Sequence, residues 1–224
     1  MTATGLLCAL LTLTAIMEHR LQAAFLWMCL AVFIDAIDGP LARRFRTDLH
    51  GRELDGALLD NIVDFLNYTF IPLVLIAHEG WVPGPAWLWV GVPGMASLYA
   101  FAHREAKDVD DGFFRGFPSY WNIMSFYVAV ELCHWGPWPT VAALWLLALL
   151  SVAPVRFVYP NRAPRHRWFF IWGGVLWSLS LVWLLIQWPN ISRTTAWISF
   201  IYPALYMIWS VVLDRQARRR RAGS

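Results

Sequence analysis

Charged residues and cysteines are both scarce in this chain of 224 residues. Asp, Glu, Lys and Arg together make up 15% of it, against about 25% in ordinary soluble domains. The three cysteines cannot build a disulfide framework, and each lies in or near an apolar run. We therefore exclude a disulfide-stapled scaffold and do not expect a soluble globular protein.

Hydrophobic residues are abundant where charge is lacking. They form 58% of the chain, 16% of the residues are aromatic, and 15 are tryptophan. The mean hydropathy is +0.48. Tryptophan collects where a membrane meets water, because its ring is apolar and its N–H requires a partner. This composition predicts an integral membrane protein.

Apolar runs separated by proline, glycine and charged clusters predict an all-α, polytopic membrane bundle of about eight helices. We expect one membrane-embedded domain over residues 1–224. The first run is short but lacks the basic flank of a signal peptide, so we interpret it as a retained helix. The predicted spans cover residues 3–17, 21–38, 54–77, 85–102, 120–134, 140–158, 168–187 and 195–213.

The placement of basic residues predicts the orientation of the bundle. Every Lys and Arg except Arg20 and Arg193 falls in alternate loops or in the tail after the last span. Basic residues collect on the cytoplasmic side of membrane proteins, so both termini are predicted to be cytoplasmic. We interpret the tail sequence RQARRRR as an orientation signal and a contact with anionic lipid, and we expect no nucleic-acid partner.

Four carboxylates lie near the cytoplasmic end of the second span and the start of the third. Asp35 and Asp38 are three residues apart and Asp60 and Asp64 are four apart, so each pair shares one face of its helix. The connecting loop folds the two helices antiparallel and so brings the pairs together. A carboxylate in a membrane helix costs about 2.5–3.5 kcal/mol, so these four require neutralisation.

The chemistry of this cluster favours a hard cation. Carboxylates without Cys or His among them suit Mg²⁺ or Mn²⁺, and those ions bind diphosphates and polarise phosphoryl groups. Pairing with nearby arginines, or exposure at the interface, is the alternative. Gly39 and Gly56, next to the carboxylates, leave room for a substrate to approach the backbone, or alternatively allow close helix packing.

The spacing of these residues resembles the signature of the CDP-alcohol phosphotransferases, membrane enzymes that make phospholipids by displacing CMP. Twelve residues separate the two halves of the signature, more than in most of that family. The longer loop and the segments DGPLARR, LLDNIVDF and GFPSYWN resemble those of one branch, the bacterial phosphatidylcholine synthases. The eight fixed positions are Asp35, Asp38, Gly39, Ala42, Arg43, Gly56, Asp60 and Asp64.

The resemblance implies condensation of CDP-diacylglycerol with choline to give phosphatidylcholine and CMP. It further implies a homodimer in the bacterial inner membrane with a cytoplasm-facing active site. In that reaction two Mn²⁺ or Mg²⁺ ions grip the diphosphate, and Asp64 is also the general base. By the same resemblance the metal ligands are Asp35, Asp38, Asp60 and Asp64, while Gly39, Ala42, Arg43 and Gly56 help to bind CDP-diacylglycerol.

Choline recognition calls for aromatic faces with a carboxylate nearby, because its quaternary ammonium offers no hydrogen-bond donor. The segment 103–127 supplies both. We expect Tyr120 and Trp121 to form the cage, with Asn122 or Glu105 as polar support; interfacial anchoring is the alternative for each aromatic. In the next basic loop, Arg156 and Arg162 are candidate contacts to phosphate or lipid headgroups, although positive-inside topology alone also explains them.

Two other functions are consistent with parts of this pattern. The same fold can serve another alcohol, namely serine, inositol phosphate or glycerol phosphate, but an anionic acceptor needs cationic groups near Asp64. A cation transporter would also hold intramembrane carboxylates, yet no inverted repeat of the acidic segment follows. The six histidines lie near helix ends or in loops without metal-ligand spacing, and Glu131 is interpreted as reaching the non-cytoplasmic interface.

Overall fold

Helices dominate the computed structural model, which describes residues 2–44, 56–102, 113–158 and 167–222. These residues form eight helical rods and one two-stranded β ribbon, so the predicted all-α class is confirmed. The helices are α1 (Thr2–Met17), α2 (Leu21–Arg44), α3 (Gly56–Phe65), α4 (Ile71–His78), α5 (Ala86–Ala102), α6 (Trp121–Val130), α7 (Pro137–Val152), α8 (Arg167–Ile186) and α9 (Arg193–Ala222).

A π-helical turn, Leu66–Phe70, joins α3 to α4 in a single rod. The backbone stays helical at both junctions, with φ −58° and ψ −41° at Phe65 and φ −64° and ψ −43° at Ile71. The rod therefore corresponds to the predicted third span. A π turn accommodates an extra residue and changes the direction of the side chains around it, and such turns are frequent at functional sites.

Membrane insertion explains the outer surface of the bundle. Within the described residues, three helical segments are long and apolar enough to cross a bilayer: Leu58–His78, Arg167–Ile186 and Arg193–Arg218. Protein buries only 17% of the apolar window of α8, and side chains such as Leu176 remain 66% exposed. Apolar surface on this scale belongs against lipid, so the molecule is a membrane protein.

The small β ribbon is a feature that the sequence analysis missed. Strands β1 (Phe113–Arg115) and β2 (Arg156–Val158) pair antiparallel. The sixth span was predicted to run to residue 158, which is wrong, since α7 ends at Val152. Pro154 accounts for this end, because a residue before proline avoids the helical region, and Ala153 is extended at ψ 148°.

In the part of the chain that the structure describes, the interior contains three apolar clusters. One joins α1, α2, α4 and α6 to α8 and α9, and in it Phe25 meets Phe126 edge-on with ring centroids 5.4 Å apart. A second, around the fully buried Trp121, joins α4 and α6 to α5 and α7. The third lies between the ribbon and the pair α8 and α9, and it includes Phe113 and Leu213. The ribbon is thus anchored to the last two helices.

Glu131 lies in a polar contact at the end of α6. Arg193, at the start of α9, donates from Nη2 to Glu131 Oε1 at 2.6 Å and from Nε to Oε2 at 3.0 Å, and Trp135 Nε1 donates to Oε1 at 2.9 Å. The acid predicted to reach the interface therefore joins α6 to α9 as a charged pair.

Gly116 follows β1 and lies close to the end of α7, so a side chain at this position should destabilise the fold. It has φ +83°, its N–H donates to Val155 O at 2.8 Å, and an added Cβ would lie 2.3 Å from Ser151 O. Backbone strain and overlap should together destabilise Gly116→Ala by about 3 kcal/mol, measured by thermal unfolding in detergent. Gly91→Ala, whose Cβ would meet nothing within 4 Å among the described residues, should unfold at or above the parental temperature, because alanine favours the helix that holds it; equal behaviour of the two variants would contradict the prediction.

Candidate active site

Three of the predicted carboxylates converge from two helices. Asp35 lies on α2, while Asp60 and Asp64 lie on α3, and one oxygen from each is within 4.8 Å of the others. Asp35 is exposed, whereas Asp60 and Asp64 are half-buried. Helix geometry thus produces the convergence that the sequence predicted. The side chain of Asp38 lies outside the described residues, although its backbone belongs to α2.

A cleft opens beside these carboxylates. It is narrow, and α1 closes it on one side through Gly5. Asn67 and Tyr68 from the π turn complete the wall next to Asp64. The free space is about that of one water-sized group, so the cleft suits a metal ion or a phosphate oxygen at the carboxylates and not an entire lipid nucleotide.

Tyr68 is a site residue that the sequence analysis did not single out. Its hydroxyl donates a hydrogen bond of 2.9 Å to Asp35 Oδ2, across the gap between the π turn and α2. The bond fixes the orientation of that carboxylate. The signal was present in the sequence, because Asp60, Asp64 and Tyr68 follow one another at intervals of four and so occupy neighbouring turns of one rod.

Asn67 and Gly5 determine how closely α1 approaches the acidic rod. The buried Asn67 amide donates at 3.0 Å to Gly5 O and at 3.0 Å to Val63 O. A Cβ on Gly5 would lie only 2.5 Å from Val63 Cγ1, so a larger residue would push the helices apart. This contact holds the rotation of α3 and with it the direction of Asp60 and Asp64.

The donor set fits a hard divalent cation. The three ligands are all carboxylate oxygens, which Mg²⁺ and Mn²⁺ prefer. Two oxygens on one octahedral Mg²⁺ are about 3 Å apart, a spacing that small side-chain rotations allow within the observed limit of 4.8 Å. Negative charges this close also repel one another, so a cation between them is favourable. The structure therefore contains acidic groups that could bind a metal ion.

The remaining signature positions are only partly described. Helix α2 continues past Gly39, Ala42 and Arg43, so these residues follow Asp35 on the same helix, and the side chains of Ala42 and Arg43 lie outside the described residues. Gly56 begins α3 and is exposed. Nothing in the described part of the chain comes within 4 Å of a Cβ built on Gly56, so close helix packing does not account for that glycine.

The four predicted choline contacts fall in different environments. Tyr120 is 39% exposed and close enough to Tyr68 to interact electrostatically. Trp121 is fully buried, and its Nε1 donates to Ser97 Oγ at 2.7 Å. Its ring is part of the core, which corrects the prediction that it faces choline. Asn122 Oδ1 is buried without a hydrogen-bond partner among the described residues, and Glu105 lies outside them.

Arg156 is held by contacts within the protein. Its Nε donates to Asp214 Oδ1 at 2.6 Å, its guanidinium lies 5.1 Å from the centroid of the Phe113 ring, and its side chain is 12% exposed. These contacts join the ribbon to α9 and account for the residue without a headgroup. Arg162, the other candidate headgroup contact, lies outside the described residues.

Comparison with known proteins points to one family. The family model described as CDP-alcohol phosphatidyltransferase matches residues 1–209. A phosphatidylcholine synthase of Pseudomonas aeruginosa is 35% identical over 191 residues, 84% of this chain and 78% of that protein. Those of Legionella bozemanae and Legionella pneumophila are 32% and 33% identical over 89% and 93% of this chain, and 94% and 84% of theirs. With a match over nearly its whole length and three carboxylates converging at the signature spacing, the chain belongs to the CDP-alcohol phosphatidyltransferase family.

Proposed function

We propose that this enzyme transfers the phosphatidyl group of CDP-diacylglycerol to the hydroxyl of choline and releases CMP. The observation that carries the proposal is the convergence of Asp35 with Asp60 and Asp64 beside an open cleft. The relatives similar over most of the chain are named phosphatidylcholine synthases. Family membership favours a transferase over the cation transporter that the intramembrane acids alone also allowed.

The proposed mechanism divides the work among the signature residues. Asp35, Asp38, Asp60 and Asp64 would hold one or two Mn²⁺ or Mg²⁺ ions, which neutralise the diphosphate and the departing CMP when bound. Asp64 accepts the proton of the choline hydroxyl as its oxygen attacks the phosphorus bearing diacylglycerol and the bond from phosphorus to CMP breaks. The signature residues Gly39, Ala42, Arg43 and Gly56 contact the cytidine and the phosphates.

Choline is the acceptor that the described surroundings support. No basic side chain lines the cleft in the described part of the chain, and an anionic acceptor would require one near Asp64. Tyr120 presents an exposed ring on this side, and a quaternary ammonium binds to aromatic faces.

We further propose eight membrane spans, cytoplasmic termini and an active site at the cytoplasmic face of the inner membrane. The eight rods and the basic residues of alternate loops support this topology. Arg193 is one of the two basic residues that the sequence places at the non-cytoplasmic face. It pairs there with Glu131 at the end of α6. A homodimer remains a proposal that rests on family resemblance.

Metal removal and acceptor competition test the reaction directly. The purified protein in detergent should incorporate labelled choline into lipid with CDP-diacylglycerol and Mn²⁺ or Mg²⁺, and excess chelator should reduce this to background. Added metal should restore it, because the carboxylates and not a permanent cofactor hold the ion. Transfer to serine, inositol phosphate or glycerol phosphate instead would overturn the choline assignment, and a lack of CMP release with every acceptor would contradict the enzyme itself.

Tyr68→Phe tests whether the hydrogen bond to Asp35 serves the metal site. The variant keeps the ring and loses the donor, so we expect about 10–100-fold weaker activation by metal, as for other residues that orient a ligand. The measurement is phosphatidyl transfer as a function of Mn²⁺ concentration. Tyr202→Phe loses a comparable bond of 2.7 Å to Phe170 O and should leave the metal requirement unchanged; an identical response in both variants would refute the role of Tyr68.

A further inference from the structure

A second cluster of metal-ligating side chains lies at the other end of the acidic rod. It consists of His19, which follows α1, and His78 and Glu79 at the end of α4. Fourteen residues of helical rod separate His78 from Asp64, which corresponds to about 21 Å. The cluster is therefore distinct from the carboxylates of the active site, and nothing in the proposed transfer reaction uses it.

The backbone presents these side chains from two neighbouring helix ends of the same type. At the end of α4, Gly80 N–H donates to Ala77 O and Trp81 N–H to Ile76 O, with Gly80 at φ +68°. This is the Schellman motif, whose left-handed position is normally glycine.

Helix α1 ends in the same motif, but with a histidine at the left-handed position. His19 N–H donates to Ile16 O at 2.9 Å, Arg20 N–H donates to Ala15 O at 2.8 Å, and His19 has φ +53°. A residue with a Cβ is strained in this conformation and glycine is not. A histidine held there is best explained by what its side chain does.

The side chains are already arranged around a common point. His19 Nδ1 lies 3.0 Å from Glu79 Oε1, and the rings of His19 and His78 have centroids 4.8 Å apart at an angle of 28°. One ligand atom from each of the three residues is within 4.8 Å of the others. His78 Nε2 is buried and has no hydrogen-bond partner in the described part of the chain, which is unfavourable for a ring nitrogen.

Two imidazoles and one carboxylate form a donor set that suits zinc rather than magnesium. Around a tetrahedral Zn²⁺ with Zn–N distances near 2.0–2.1 Å, two imidazole centroids lie about 5 Å apart and two ligand atoms about 3.3 Å apart. The observed 4.8 Å and 3.0 Å are close to both values. The C-terminal ends of α1 and α4 also direct partial negative charge toward the cluster, which favours a cation.

We propose that His19, His78 and Glu79 bind a divalent transition-metal ion, with Zn²⁺ the best fit, at the end of the bundle opposite the acidic site. The ion takes the place between His19 Nδ1 and Glu79 Oε1 that a hydrogen bond now occupies. It joins the end of α1 to the end of α4, and water completes the coordination because His19 is exposed.

The test uses Co²⁺ as a spectroscopic substitute for Zn²⁺ on the purified full chain in detergent, with excess Mg²⁺ to occupy the carboxylates. We expect one Co²⁺ per chain with tetrahedral visible absorption, displacement by Zn²⁺, and a higher unfolding temperature with Zn²⁺. His19→Gly should weaken binding more than about 100-fold, since a lost ligand should cost at least as much as a lost supporting residue.

The choice of variants separates a lost site from a lost fold. His19→Gly places glycine where the motif favours it, so this variant should fold at least as well as the parent without metal. His78→Gln tests the second ligand. His134→Ala, which removes an exposed histidine of another turn, and Asp64→Asn should both bind Co²⁺ normally. Unchanged binding by His19→Gly, loss only in Asp64→Asn, or no binding by the parent would each overturn the proposal.

Discussion

Asp64→Asn is expected to lower the rate of phosphatidyl transfer by at least about 1,000-fold. General acid–base catalysis contributes about 10²–10⁴-fold, and the same change also removes a negative charge from the metal site. The substitution keeps the shape of the side chain, and Asp64 is only half-buried, so the fold should persist. The measurement is CMP release at saturating choline, beside thermal unfolding of the same preparation.

A comparison with Asp60→Asn separates the two roles proposed for Asp64. If Asp60 only holds metal, its variant should recover part of its activity as Mn²⁺ is raised, because mass action offsets weaker binding. Asp64→Asn should not recover, since no ion replaces the proton acceptor. Full restoration of Asp64→Asn by metal would contradict its role as the base. Glu18→Gln, at an exposed acid beside Arg20, is the matched control and should retain parental activity.

Asp214→Ala should destabilise the protein by about 3–5 kcal/mol. Asp214 is 4% exposed and accepts hydrogen bonds from Arg156 Nε at 2.6 Å and Arg218 Nε at 2.8 Å. Removing the acid leaves the buried guanidinium of Arg156 without its carboxylate, and a broken buried pair costs about this much. The measurement is unfolding in detergent, followed by thermal denaturation.

Two further variants identify the cause of this loss. Arg218→Ala removes a partner that is 51% exposed, so it should cost no more than about 1 kcal/mol. Arg156→Met added to Asp214→Ala should restore part of the stability, because no charge then remains buried without a partner. If Asp214→Ala and Arg218→Ala were equally stable, the ribbon would not depend on this pair.

The predictions that the structure confirmed rest on local periodicity. Apolar runs alone located the helices, and the spacing of Asp60 and Asp64 placed both on one face of a rod. The connecting loop between two antiparallel helices then implied that Asp35 would meet them, and it does. Each of these inferences needs only helix geometry and the direction of the chain, which is why they hold without knowledge of the packing.

The errors and omissions concern contacts that local periodicity does not reveal. Trp121 was assigned to a choline cage because its segment is rich in aromatic and acidic residues. Its ring is instead covered by the second apolar cluster. The pairing of β1 with β2 joins segments some forty residues apart. The spacing of Tyr68 placed it near Asp60 and Asp64, but its hydrogen bond to Asp35 depends on how α2 packs against the rod.

Amino-acid composition and spacing were sufficient for the membrane class, the helical architecture and the acidic signature of the family, because hydrophobicity and helical repeat act over a few neighbouring residues. Tertiary packing alone decided which side chains became accessible and which met. Asn67 joins α3 to α1 by a hydrogen bond, and Asp214 pairs with Arg156. His19 contacts Glu79, which lies 60 residues further along the chain. Such contacts depend on the register and rotation of whole helices, which are set by the summed packing of every face in the bundle.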